Sequence, residues 1–417
     1  MNAPDPTTAL ALADHLRTAQ AVRAHSQAIL QLAQRGQARH FVYHPARLAE
    51  AAAYVAGVIR QRYPGGAIPY HSRWRHFEPG GVDRWAQVAT SLGLNHDGQR
   101  LERARARVDL AVTSVLLDAG AGPQWRYLDD ATGQTLTRSE GLGVASLRWW
   151  AAGGLSSSPK APWQADAEGL QRVSNEALAQ AFQVGPDNPL VGVAGRVQLL
   201  RQLGRVMQAQ PQWFSRPDAP GLLRPGHMVD WLFAHHPTGE VPAGALLALL
   251  LRALGGIWPS RHVMAGQPLG DCWPHPDAPH GWLPFHKLSQ WMAYSLLEPL
   301  EDAGLHVVAL DDLTGLPEYR NGGLLLDLGV ITPRDATFFS HIWRPQDEAI
   351  VEWRALTVAL LDPLAQAVRD ELGLSLTDLP LARVLEGGTW AAGRAIARER
   401  RPEGDPPVQL DSDGTVF

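Results

Sequence analysis

Near the middle of the chain stand side chains that could act on a sugar and its nitrogen leaving group. Asp311 and Asp312 are adjacent, and the run PEYRNGG (residues 317–323) sets Glu318, Tyr319 and Arg320 side by side before two glycines. Upstream, Lys287 lies on a segment whose apolar residues Leu288, Trp291, Met292 and Leu296 recur at helical spacing. Cleavage of a glycosidic or N-glycosidic bond needs a carboxylate to stabilise an oxocarbenium-like centre or to activate water, and a second acid often assists the leaving group. Glu318, with Asp311 and Asp312, is the best carboxylate set for that work. Lys287 is the cation that could hold a hydroxyl or tune the carboxylate. Lys and Glu are seldom buried at a loop–helix junction unless paired, so Lys287 and Glu318 are expected to meet there. The same residue types also serve as helix caps and surface ion pairs, and alone they do not choose between the two uses.

Other constellations carry less. Arg73, Arg75 and His76 are interleaved with Trp74 and Phe77 in a long irregular stretch, residues 63–81. Such a loop could bind an anion and stack a planar group, or pack at the surface through its arginine stems. The run 270–274 offers Asp271 as an inward-pointing carboxylate or as a turn residue, beside Trp273. Cys272, His275, His280 and His286 suggest a zinc site, but no second ligand pair at zinc spacing accompanies them, and no metal is expected. Arg107, Asp109 and Asp118 flank an apolar run and read as an internal charge network. Phosphate-loop, dinucleotide-fold, zincin and serine-hydrolase signatures are all missing.

Placing these residues is work for helices. Apolar periodicity and end signals predict helices over residues 7–34, 45–62, 101–117, 140–150, 166–182, 189–209, 243–254, 285–303, 347–372 and 381–398. Gly304 is the expected left-handed cap after the Lys287 segment, and 317–323 is expected as a tight loop. Residues 40–44 read as a short strand or as the entry to the next helix, and hairpins are predicted over 125–136 and, around its Asp-Gly turn, over 408–417. The fold class is therefore mainly α, a single helical domain over 1–417 with a few short strands. A flexible joint at 153–159 is the one candidate boundary.

Bulk properties narrow the function classes. The chain has 417 residues, of which 45% are hydrophobic and 19% charged, enough for one large core. A net charge of −5 without a long basic run argues against nucleic acid as a partner. One cysteine, Cys272, excludes an internal disulfide and fits a reducing compartment. No signal peptide is read at the N-terminus, and the most apolar run, 245–255, is too short to span a bilayer and contains Arg252. A soluble cytoplasmic protein with no membrane partner is expected. Fifteen tryptophans exceed what a core of this size needs and leave some for a pocket.

Four blocks, SRWRHFEPGG (72–81), RVDLAVTSVLLDAGAGPQWRY (107–127), RSEGLGVASL (138–147) and PEYRNGG, together resemble the uracil-catabolism family of fungal uracil-regulated-gene proteins and their bacterial relatives. The resemblance runs over nearly the whole chain. A more distant similarity is to the queuosine 5′-phosphate N-glycosidases, which carry Lys in an F-x-K-x-x-Q setting and later a D-Y-R loop. Phe285, Lys287 and Gln290 match the first motif; Glu318, Tyr319 and Arg320 match the second, with Glu in place of Asp. These resemblances imply a DNA-glycosylase-like helical fold and a metal-independent, cofactor-free hydrolase of N-glycosyl bonds. The implied substrate is a small molecule, a urea riboside or its 5′-phosphate, cleaved to urea and ribose or ribose phosphate. By the same implication Glu318, Lys287 and Asp271 are the catalytic set. Arg320, with Arg73 or Arg75, would take the phosphate; Tyr319, Trp273 and His275 would wall the pocket; Asp230, Asp271 or Asp311 would meet the remaining polar atoms. The rival classes are a non-catalytic binding protein for a pathway intermediate and an amidohydrolase acting on the ring.

Overall fold

The helix Glu348–Leu372 is the axis on which the others are assembled. Ile350, Trp353, Leu356, Leu360 and Leu364 recur along it every three or four residues and are all buried, and Gly373 ends it in the left-handed conformation (φ 67°). Helices Ala19–Gln34 and Arg47–Arg62 pack against it. The computed structural model describes residues 6–258 and 262–411 and is mainly helical with a few short strands. Two further pairs complete the frame around the chemistry. Lys287–Ala303 packs on Arg100–Leu116, and Tyr319–Asp327 packs on Trp390–Arg400.

Short strands tie distant segments together in pairs. Phe41–Tyr43 pairs antiparallel with Ile331–Pro333, with Phe41 opposite Pro333. The expected hairpin is present as Tyr127–Asp129 against Gln134–Leu136. Gln409–Leu410 pairs in parallel with Ile342–Trp343, and the Asp-Gly turn and second strand of the expected C-terminal hairpin lie outside the described residues. The stretch 153–159 joins helices that share one core. Leu155 is buried, and one hydrophobic core draws residues from both sides of it.

Where elements differ from expectation, a local polar group competes with the helix. Residues 7–34 form two helices, Pro6–Leu16 and Ala19–Gln34, because the Thr18 hydroxyl accepts from Ala21 N at 3.1 Å and starts a new one. Asp166 and Ser174 divide 166–182 in the same way into Ala167–Arg172 and Asn175–Ala181. The run 317–323 is not a loop: Glu318 is a helix cap and Tyr319–Asp327 is helical. Gly322 serves close packing there, since a Cβ would lie 2.6 Å from the Trp353 ring. Finally, 381–400 is interrupted by a π-helical turn, Val384–Thr389, between Leu381–Arg383 and Trp390–Arg400. Such turns insert a residue into the helix and re-aim its neighbours, often at functional sites.

Candidate active site

Lys287 is the first residue of its helix, and its place is fixed from behind. The backbone amides of Phe285 and His286 donate to the Asp271 carbonyl at 2.8 and 3.3 Å, and Lys287 N donates to Asp271 Oδ2 at 3.1 Å. Asp271 is held by Arg354, whose two terminal nitrogens donate to its two oxygens at 2.8 Å each, and by Trp273 Nε1 at 2.7 Å. His286 adopts a left-handed conformation (φ 49°), unusual for a residue with a Cβ, and its ring is tied to the Leu16 carbonyl at 2.8 Å. This over-determined corner aims Lys287 into a cavity of about 1520 Å³.

Opposite Lys287 lies Glu318 at the cap of Tyr319–Asp327, and both residues line the cavity with Tyr319 and Arg320. Glu318 Oε1 is buried without a hydrogen-bond partner. Burial holds the Glu318 carboxyl above the usual carboxylate range, and the charges of His71, Lys287 and Arg320 pull it back only in part. Burial likewise holds the Lys287 ammonium below its ordinary range, against the pull of Glu318. The expected meeting is thus electrostatic: the two groups share a cavity but form no ion pair among those of the described residues.

Three further walls lie outside the expected catalytic and binding set, although the sequence groups His76 with Arg73 and Arg75 as able to bind an anion. His71 and His76 come from the loop before and within the turn Arg73–Phe77, which is fastened to the Lys287 helix by Arg73 N to Ser295 Oγ (2.9 Å) and Trp74 Nε1 to Ser295 O (2.8 Å). Trp291, one turn beyond Lys287, and Trp390, just past the π-helical turn, supply aromatic faces, and the Trp291 indole nitrogen is buried without a partner. Glu386 on the π-helical turn is 2.8 Å from His71 Nδ1. The segment after Arg100–Leu116 adds Asp118, and residues 402–410 cover the far side beside Arg138, Arg394 and Arg401.

Several predicted residues are placed elsewhere, each for a definite reason. Arg73 is fully buried behind the wall, where it donates to Ser114 Oγ at 2.7 Å and lies 3.0 Å from Asp118 Oδ1. Arg75 is taken by Glu298 at 2.8 Å and Glu78 at 3.2 Å. Asp271 and Trp273 buttress the helix start and do not line this cavity. His275 is in the core, 3.7 Å from Glu352, whose carboxylate also accepts from the Arg39, His40 and Phe41 amides. Asp230 accepts from two guanidinium nitrogens of Arg105, at 2.6 and 2.9 Å. Asp311 accepts from Leu381 N at 3.5 Å. Asp118, read as part of an internal network, lies on the cavity, whereas Asp109 belongs to that network through Arg224. Cys272 is packed with Ala13, Leu16 and Leu269, and burial pushes its thiol far up, away from thiolate chemistry. No cluster of three metal-ligating side chains occurs among the described residues, and no helix among them is long and apolar enough to cross a membrane.

The family described as "Protein of unknown function (DUF1688)" matches residues 15–417. The chain belongs to that family. It is 41% identical over 411 residues to Protein urg3 of Schizosaccharomyces pombe, covering 96% of this chain and 98% of that protein. It is 35% identical over 420 residues to Uracil catabolism protein 4 of Lachancea kluyveri, covering 92% of this chain and 93% of the relative.

Proposed function

We propose that this member of the DUF1688 family acts in uracil catabolism as an N-glycoside hydrolase, cleaving the C1′–N bond of a urea riboside or its 5′-phosphate. The observation that carries the reading is the Glu318 carboxylate, one oxygen of which is buried with no protein partner while it faces a cavity shared with Lys287. A negative charge left unsatisfied by the protein is poised to interact with charge that develops on a ligand. An oxocarbenium-like ribosyl centre supplies such charge only in the transition state. Pathway membership is supported by the name of one relative, Uracil catabolism protein 4.

In this mechanism Glu318 stabilises C1′ and takes a proton from the incoming water. Lys287 fixes a ribose hydroxyl and balances Glu318. Trp291 and Tyr319 flank the sugar. Arg320 stands at the phosphate end with Arg138, whose side chain is about half exposed on the cavity. Asp271 acts through the backbone of Lys287 as a positioning residue. The test is direct: incubate the purified protein with urea riboside and with its 5′-phosphate, then measure free urea and reducing sugar. Release of both products at equal rates supports hydrolysis. Tight binding without turnover would make the protein a carrier of the intermediate.

A further inference from the structure

The cavity contains a second titratable device that the carboxylate does not use. His71 is almost fully buried, yet it lines the cavity. Its backbone N donates to the Ala382 carbonyl at 2.8 Å, and its ring lies 6.4 Å from Trp291 and 5.9 Å from Trp390, centroid to centroid. Nδ1 is engaged by Glu386 Oε2 at 2.8 Å, while Nε2 has no hydrogen-bond partner among the described residues. Glu386 reaches the ring because the π-helical turn Val384–Thr389 carries it inward. A carboxylate behind one ring nitrogen fixes the orientation of the imidazole and stabilises its protonated form, leaving the other N–H to donate.

We infer that His71, oriented by Glu386, is the general acid that protonates the leaving group in the cavity where Glu318 faces the sugar. The inference rests on the proposed hydrolysis and adds its second half. In the step, the C1′–N bond breaks with its electron pair going to the urea nitrogen. The His71 Nε2 proton passes to urea, and water adds its oxygen to C1′ and gives its proton to Glu318. Return of that proton from Glu318 to His71 closes the cycle. The atoms balance as riboside plus water giving urea plus ribose.

The charge environment agrees with the geometry. Burial alone would lower the His71 pKa, but the Glu386 hydrogen bond and charge, with the charge of Glu318, more than offset it and leave the imidazole above its ordinary value. Lys287 is the opposing cation. Glu386 is pushed up by burial and brought below the usual range chiefly by His71, with smaller help from His76 and Arg75. The other acids on the cavity fit the task less well. His76 is held down at about 4 by burial and Arg73, so it carries no proton to give near neutrality. The Tyr319 phenol is pushed up by burial and by Glu318, and Glu140 is paired with Arg394 at 2.7 Å.

General-acid catalysis is exposed by a leaving group that needs no proton. His71→Gln is assayed on urea riboside and on p-nitrophenyl riboside, whose phenolate departs unaided. The loss on urea riboside is expected to exceed the loss on the phenyl substrate by about 10²-fold or more. Equal losses on both, or no loss on either, overturn the assignment while leaving hydrolysis intact. A wild-type protein that releases neither urea nor nitrophenol overturns the hydrolase reading and this inference together. Should His71→Gln fail to fold, Glu386→Gln replaces it. Its alkaline limb in kcat/KM is expected to move to lower pH, because the imidazolium loses its counter-charge, and an unmoved limb overturns the assignment.

Discussion

Replacing Glu318 with Gln separates catalysis from stability, and the two are expected to move in opposite directions. The substitution keeps the size and most of the hydrogen-bonding capacity and removes one unit of charge. If the carboxylate sits about 4 Å from C1′ in a site of effective dielectric about 20, its interaction with a full positive charge is about 4 kcal/mol. That equals roughly 10³-fold in rate. Partial charge at the transition state and the remaining amide dipole reduce it, so a fall of about 10²- to 10³-fold in kcat is expected, with little change in KM. The sign on stability follows from linkage. The folded-state pKa of Glu318 is raised, so its favourable contribution is present below the unfolded value and is lost as pH rises through the folded value. Above that folded value the ionised group is a burden on the fold, and Glu318→Gln is there expected to unfold at an equal or higher temperature than wild type. Urea release measured with the unfolding transition at pH 5 and pH 7.5 checks both. A variant that is catalytically unimpaired, or that loses stability at pH 7.5 in proportion to its activity, refutes the reasoning.

The remaining expectations test the parts around that carboxylate. The kcat/KM profile of wild type should be bell-shaped, with an acid limb above the usual carboxylate range from Glu318 and an alkaline limb above the ordinary imidazole value from His71; a flat profile between pH 5 and about 9 would remove both assignments. Asp271→Asn removes the charge facing Arg354, whose side chain is 1% exposed, and should cost about 3–5 kcal/mol in chemical denaturation, whereas unchanged stability would show that the helix start is held by the other contacts. Gly393→Ala would place a Cβ 2.2 Å from the Arg320 carbonyl, so the two helices must separate; a drop of about 1–3 kcal/mol in stability and a raised KM are expected, and wild-type values for both would contradict the packing argument. Arg138→Ala should raise KM about 10-fold for the 5′-phosphate and leave the plain riboside unaffected, while equal effects on both substrates would take Arg138 out of the phosphate end.

Much of the architecture follows from local sequence, because helix periodicity and end signals act over a few residues. The buried stripe of Glu348–Leu372, the left-handed cap at Gly304 (φ 91°) and the hairpin around residues 130–133 all lie where residue type alone puts them. Lys287, Glu318, Tyr319 and Arg320 are also legible, since one helix start and one helix cap present them to the same space. Partner choice is a different matter. Whether Arg73 faces a ligand or Asp118, and whether Asp271 faces a substrate or Arg354, depends on which helix faces meet across long stretches of chain. A buried charge takes the counter-charge that packing brings to it, and sequence spacing carries no record of that. The same holds for His71, whose chemical character comes from Glu386. Only the π-helical turn, an insertion that ordinary helical periodicity conceals, turns that carboxylate toward the imidazole.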